Sequence, residues 1–115
     1  MVDNKSLWEV LVPRFSNAGV EYTIEYHQAW DKRVREITGG VTILKTAKGH
    51  WVNPQGKVFI EEMIPVRIHC TERQIDNIIN YTLKYYKQET VFAYQISSRV
   101  KVKEQKTKHP RNNCE

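Results

Sequence analysis

The sequence predicts an α+β domain of the ferredoxin-like type, a split β-α-β-β-α-β sandwich with two helices on one face of an antiparallel sheet. Two stretches carry apolar residues at helical spacing between recognisable start and stop residues. The remaining apolar segments are short, β-rich and bounded by turn residues. Their order along the chain is the order of the split βαβ plait, whose right-handed crossovers need no unusual connection. At 115 residues the chain has room for one such core.

The first strand is expected over Leu7–Phe15, LWEVLVPRF, closed by Ser16-Asn17-Ala18-Gly19. Pro13 cannot donate to a ladder, so the end of this strand is irregular or lies on an edge. Tyr26, Trp30, Val34 and Ile37 then share one helical face, with Thr23 as a cap and Gly39-Gly40 as a stop. Val41-Thr42-Ile43-Leu44 opens the second strand, which a bulge at Ala47-Lys48-Gly49 would interrupt before His50-Trp51-Val52. Asn53-Pro54-Gln55-Gly56 suits a type I turn, and the returning arm of the hairpin runs from Lys57 to Cys70. Thr71 and Gln74 have capping-box spacing ahead of a stripe formed by Ile75, Ile78, Ile79, Thr82, Leu83 and Tyr86. The last strand is expected over Thr90–Ile96, with Val100 and Val102 as its extension. Residues 1–103 thus form the domain, and 104–115 a basic tail.

Composition narrows the function classes. Hydrophobic residues make up 40% of the chain, ordinary for a folded domain. No stretch reaches the roughly 20 apolar residues of a membrane helix. Met1-Val2-Asp3-Asn4-Lys5 lacks the layout of a signal peptide, and two distant cysteines, Cys70 and Cys114, do not suggest a disulfide staple. These features predict a cytoplasmic protein. The net charge of +5 comes largely from Lys101, Lys103, Lys106, Lys108 and Arg111 near the end. Such a tail either tracks nucleic acid or is a solvated terminus that aids solubility, and the sheet segments lack the exposed aromatic rows interleaved with Lys or Arg of a nucleic-acid binder.

The long strand is the richest segment chemically. In extended conformation Val58, Ile60, Glu62, Ile64, Val66, Ile68 and Cys70 share one face. Glu62 is the charged member of this apolar row, so it needs a cationic partner, a raised pKa or a place at the rim. A bulge at Pro65 would instead send it to solvent, and a one-residue slip would exchange it with Glu61. Trp51, just before the tight turn, either stacks on a planar ligand or closes the hairpin core. The four histidines have no metal-ligand spacing, and no phosphate loop or nucleophile motif is present, so no cofactor is expected. Cys70 reads as a small apolar filler.

Three segments, read together, resemble the phage-encoded enzymes that degrade S-adenosylmethionine, once called hydrolases and better described as lyases. They are EVLVPRFSN at 9–17, EEMIPVRIHCTERQ at 61–74 and YYKQETVFAYQIS at 85–97. The sequence departs from that family at Pro65 and in a shorter C-terminal end. The resemblance implies a homotrimer with active sites between subunits, acting on S-adenosylmethionine as its small-molecule partner and releasing methylthioadenosine and homoserine lactone. It also implies a functional glutamate in the pair Glu61-Glu62, with Arg14, Phe15 and Trp51 as substrate-binding candidates. In that reaction the substrate's own carboxylate attacks the carbon beside its sulfonium, so opposite charges cancel in the transition state and a dry pocket accelerates the step. No protein nucleophile or metal is required. The alternative is a non-catalytic module that binds or sequesters a nucleotide or adenosyl compound with the same carboxylate and aromatic groups.

Overall fold

A computed structural model describes residues 4–105. The expected tail therefore lies outside the described residues apart from Glu104 and Gln105, and Cys114 lies outside them as well. The elements run β1 (Lys5–Pro13), α1 (Ile24–Thr38), β2 (Thr42–Ile43), β3 (Ala47–Val52), β4 (Val58–Thr71), α2 (Glu72–Tyr85) and β5 (Ala93–Ser97). All pairings are antiparallel, in the order β2-β4-β1-β5, with β3 on the same edge of β4 as β2. This is the ferredoxin-like α+β sandwich.

The helices begin and end where their side chains dictate. Thr23 accepts a hydrogen bond from the Tyr26 N–H, and Gly39 closes α1 in the left-handed conformation at φ 94°. Thr71 and Gln74 form a complete capping box at the start of α2. Both helices lay their apolar stripes on the sheet face formed by Val10 and Val12 of β1 and Val66, Ile68 and Cys70 of β4. Trp30, Val34, Ile75, Ile78 and Tyr86 complete that core. Each such burial contributes on the order of 1.5–3 kcal/mol for a large side chain. The Trp30 indole N–H donates to Thr82 Oγ1 at 3.0 Å, and that hydroxyl donates to the Ile78 carbonyl at 2.6 Å, so the largest core side chain leaves no donor unmet. Burial pushes the Cys70 thiol up to about 11, which keeps it protonated as a core filler.

Four expectations about the strands are corrected. Pro65 does not bulge β4: the register with β1 is unbroken from Lys5–Thr71 to Pro13–Met63. The irregularity falls on the strand opposite. Ile43 pairs with Val66 and Ala47 with Met63, so four steps on one strand match three on the other. The Leu44 N–H donates to the Pro65 carbonyl at 2.9 Å, but proline has no N–H to return, and the partner splits there into β2 and β3. The bulge thus sits at Leu44–Thr46, ahead of Ala47–Gly49. β1 stops at Pro13, short of Phe15, although the Arg14 N–H still donates to the Glu62 carbonyl at 3.2 Å. β5 is not prolonged by Val100 and Val102, because the Ser97 side chain accepts from the Arg99 N–H and bends the chain away. Among the described residues no helix is long and apolar enough to cross a membrane.

Thr82→Val keeps the shape of the core but strips the Trp30 indole of its acceptor. Urea denaturation is expected to show a loss of about 1–3 kcal/mol, the cost of a buried unmet donor. A second expectation concerns pH. His27 Nδ1 lies 2.6 Å from the Tyr86 phenol oxygen, and burial lowers the imidazole's pKa below its ordinary value. The unfolded chain then binds this proton more readily than the folded one. The stabilising contribution is complete above about pH 6.5 and declines as the pH falls through that value. Urea midpoints between pH 5 and 7.5 should slope less for His27→Gln than for the parent chain.

Candidate functional site

Beyond Pro13, β1 no longer accompanies β4. Residues Val58–Glu61 pair only with β3, so the β3–β4 hairpin projects from the body as a two-stranded arm. The molecule is correspondingly elongated, 61 × 33 × 22 Å. Asn53 Oδ1 accepts from the Gln55 and Lys57 N–H groups and Gly56 takes φ 82°, which fixes the turn at the arm's tip. Strand alternation gives the arm two chemically different faces at its root.

One face carries Trp51, Phe59, Glu61 and Met63. Trp51 stacks on Phe92, with ring centroids 4.9 Å apart and planes 13° from parallel. The indole can lie flat because Gly49 sits beneath it. A Cβ there would stand 2.8 Å from Trp51 Nε1 and 2.7 Å from Met63 Cε. Trp51 Nε1 is buried and has no hydrogen-bond partner. A groove of about 580 Å³ opens beside this stack, lined by Trp51, Phe59, Phe92, Glu61, Asn17 and Gln88, among others. Glu61 is exposed and makes no ion pair among the described residues.

The opposite face carries Glu62 between Ile60 and Ile64. Its Oε1 accepts from Arg14 Nη1 at 2.7 Å, while Arg14 Nε donates to Glu21 at 3.1 Å. Hydrogen bonding to Glu21, above all, raises the already high pKa of Arg14. Its guanidinium also lies 5.3 Å from the centre of the Phe15 ring. One cation between two carboxylates leaves a formal charge of −1 at this corner. A second groove, of about 350 Å³, runs along Phe15, Ile60, Glu61, Glu62 and Met63. Glu61, Asn17 and Gln88 line both grooves, so Glu61 stands at their junction.

The structure therefore gathers Arg14, Phe15 and Glu62 into one cluster and sets Glu61 beside Trp51. It does not bring Glu62 to Trp51, because alternation puts them on opposite faces of the arm. Asn17, Phe59, Gln88 and Phe92 were not singled out from sequence. Phe59 was legible from its register opposite Trp51, whereas Asn17, Gln88 and Phe92 arrive from distant loops. A buried carboxylate also escaped the sequence reading. Glu9, 7% exposed on the helix-free sheet face, accepts from Arg67 Nε at 2.9 Å and from the Tyr94 phenol. The hydrogen bond to Glu9, more than burial, raises the Tyr94 pKa. Among the described residues no group of three or more His, Cys, Asp or Glu side chains is placed to hold a metal ion.

No protein-family model matches the sequence, and no curated protein matches it. Solved structures do. A phage SAM lyase in complex with S-methyl-5'-thioadenosine superposes with a TM-score of 0.60 at 15% identity, covering 84% of this chain and 92% of that one. The periplasmic divalent cation tolerance protein CutA from Archaeoglobus fulgidus gives 0.64 at 13% identity, over 86% and 88% of the two chains. CutA from Xylella fastidiosa gives 0.63 at 16%, again over 86% and 88%. The chain shares one fold with both groups. At these identities the likeness concerns architecture, and the lyase and CutA structures match about equally well.

Gly49→Ala should force the Trp51 indole off its bed: the Met63 methyl can swing aside, but the ring, 2.8 Å from the new Cβ at Nε1 and 2.9 Å at Cε2, cannot shift without disturbing its stack on Phe92. Tryptophan emission is expected to shift to the red, and stability to fall by about 1–3 kcal/mol, the usual cost of overpacking.

Proposed function

We propose that the protein is an S-adenosylmethionine lyase, releasing methylthioadenosine and homoserine lactone from a water-poor site between subunits of a homotrimer. The observation that carries this reading is the position of Glu61 at the junction of two grooves, one walled by aromatic rings and the other running past Phe15 and Glu62. An adenine ring fits the aromatic end, against Trp51 and Phe59. The substrate's cationic groups fit the junction, where Glu61 has no ion-pair partner among the described residues and the neighbouring corner is itself net negative. Of the pair, Glu61 therefore takes the ammonium contact, and Glu62 is the anchor that holds Arg14 beside Phe15.

The chemistry asks little more of the protein. Folding the substrate's chain so that its carboxylate meets the carbon next to sulfur supplies proximity, worth up to about 7–11 kcal/mol in favourable intramolecular cases. Removing water favours a transition state in which separated charges merge. Val58 and Ile60 stand 53% and 63% exposed on the arm, as side chains do where a second subunit excludes solvent. The fold shared with a SAM lyase bound to methylthioadenosine supports the same reading. The same carboxylate and aromatic groups suit a second reading, in which the site binds or sequesters a nucleotide or adenosyl compound without turning it over, and the equal likeness to the CutA structures means that the fold does not choose between the two.

Purified protein incubated with S-adenosylmethionine should produce methylthioadenosine, followed by chromatography. Glu61→Gln is expected to lower kcat/KM by about 10- to 100-fold, the equivalent of a lost charged hydrogen bond. Saturable binding with no product would establish the sequestering role instead, and neither binding nor product would sink both.

A further inference from the structure

The seam between α1 and the sheet holds a cavity that the proposed site does not use. Ile24, His27, Gln28 and Asp31 recur at helical spacing on one face of α1, toward the β2 side of the sheet. The break opposite Pro65 leaves no β2 or β3 residue paired with Ile64, so the sheet stops short of filling that side. A cavity of about 150 Å³ results, walled by Val12, Trp30, Ile43, Ile64 and Val66 beneath that helical face. Ile24 and Ile43, both exposed, stand at its mouth. It shares no lining residue with the two grooves at the root of the arm.

The polar groups around this cavity are unequally engaged. His27 Nδ1 and the Tyr86 phenol satisfy one another at 2.6 Å, and the Trp30 N–H is taken by Thr82. Asp31 is half-buried, yet it makes no hydrogen bond and no ion pair among the described residues. Arg35, one turn further along α1, acts on it only from a longer distance, and burial raises the Asp31 carboxyl above its ordinary value. A carboxylate at the edge of an apolar cavity is best satisfied by a cation that brings apolar surface of its own.

We infer that this cavity is a second ligand site, which takes small primary amines whose apolar part is about the size of a benzene ring. Its volume sets the body of the ligand, because an apolar cavity of about 150 Å³ accommodates benzene. Asp31 sets the head, because it is the wall group with a charge and no partner within reach. An anion would meet that carboxylate unfavourably, and a wholly polar cation would lose its hydration against five apolar walls. The site stands apart from the S-adenosylmethionine reading and does not rest on it.

Methyl-resolved NMR titration of the full-length protein tests it, with benzylamine as the probe and ethylbenzene as its neutral isostere. Benzylamine should shift the Ile24, Ile43 and Ile64 methyls together and to saturation, with intermolecular nuclear Overhauser effects from its ring to Ile64 and Trp30. Asp31→Asn should weaken benzylamine by about tenfold, as expected for a lost charged contact, and leave ethylbenzene unchanged. Ethylbenzene binding in that variant also reports that the cavity is still formed. No saturable shift at these methyls, or shifts without contacts to Ile64 and Trp30, overturns the site. Equal weakening of both probes, or binding of ethylbenzene alone, overturns the assignment to amines. Shifts of the same methyls on dilution without any amine mark a side chain of a second copy as the occupant, and that result overturns the proposal too.

Discussion

Continuous pairing along β4 is the constraint on which the other features depend. Fourteen residues stay extended through Pro65 because the missing N–H is absorbed by the partner strand, which breaks at Leu44–Thr46. Alternation is thereby preserved from the arm to the core. Val66, Ile68 and Cys70 face the helices at one end, while Glu61 and Glu62 face opposite sides at the other. A bulge within β4 would have exchanged those faces and dismantled either the core or the site.

The same strand separates stability from function along its length. Its C-terminal half lies between β1 and β2 under two helices, where Ile68 and Cys70 are almost inaccessible. Its first residues, Val58–Glu61, have one strand neighbour and no helix, and their side chains are exposed. A protein of this size has little interior to spare for a ligand. Concave surface arises instead where the arm leaves the body, with the Ser16–Gly19 loop and the segment around Gln88 closing around its root. The polar groups there are shared unevenly, with Arg14 between two carboxylates and Glu61 without an ion-pair partner among the described residues. That imbalance favours a cationic ligand.

On the helix-free face, Glu9 is held by Arg67 and Tyr94 across three strands, from β4 through β1 to β5. Such a buried, fully engaged carboxylate adds specificity to strand order more readily than net stability. Its presence shows that a charged residue in a strand need not mark a ligand site. Partners decide the matter, and among the described residues Glu9 has two where Glu61 has none.

Much of the architecture was present in local sequence. Thr23, Gly39, Thr71 and Gln74 mark helix ends through side-chain chemistry a few residues long, and Asn53–Gly56 sets its turn in the same way. Helical periodicity identified Trp30, Val34, Ile75 and Ile78 as core, because one buried face repeats every 3.6 residues whatever it packs against. The bulge beside Pro65, the length of β5 and the division of Glu61 from Glu62 were decided only in the folded chain, because they depend on which strand lies alongside. The groove belongs to that second class too. Asn17, Phe92 and Gln88 meet Trp51 and Glu61 through loop closures that no local pattern encodes.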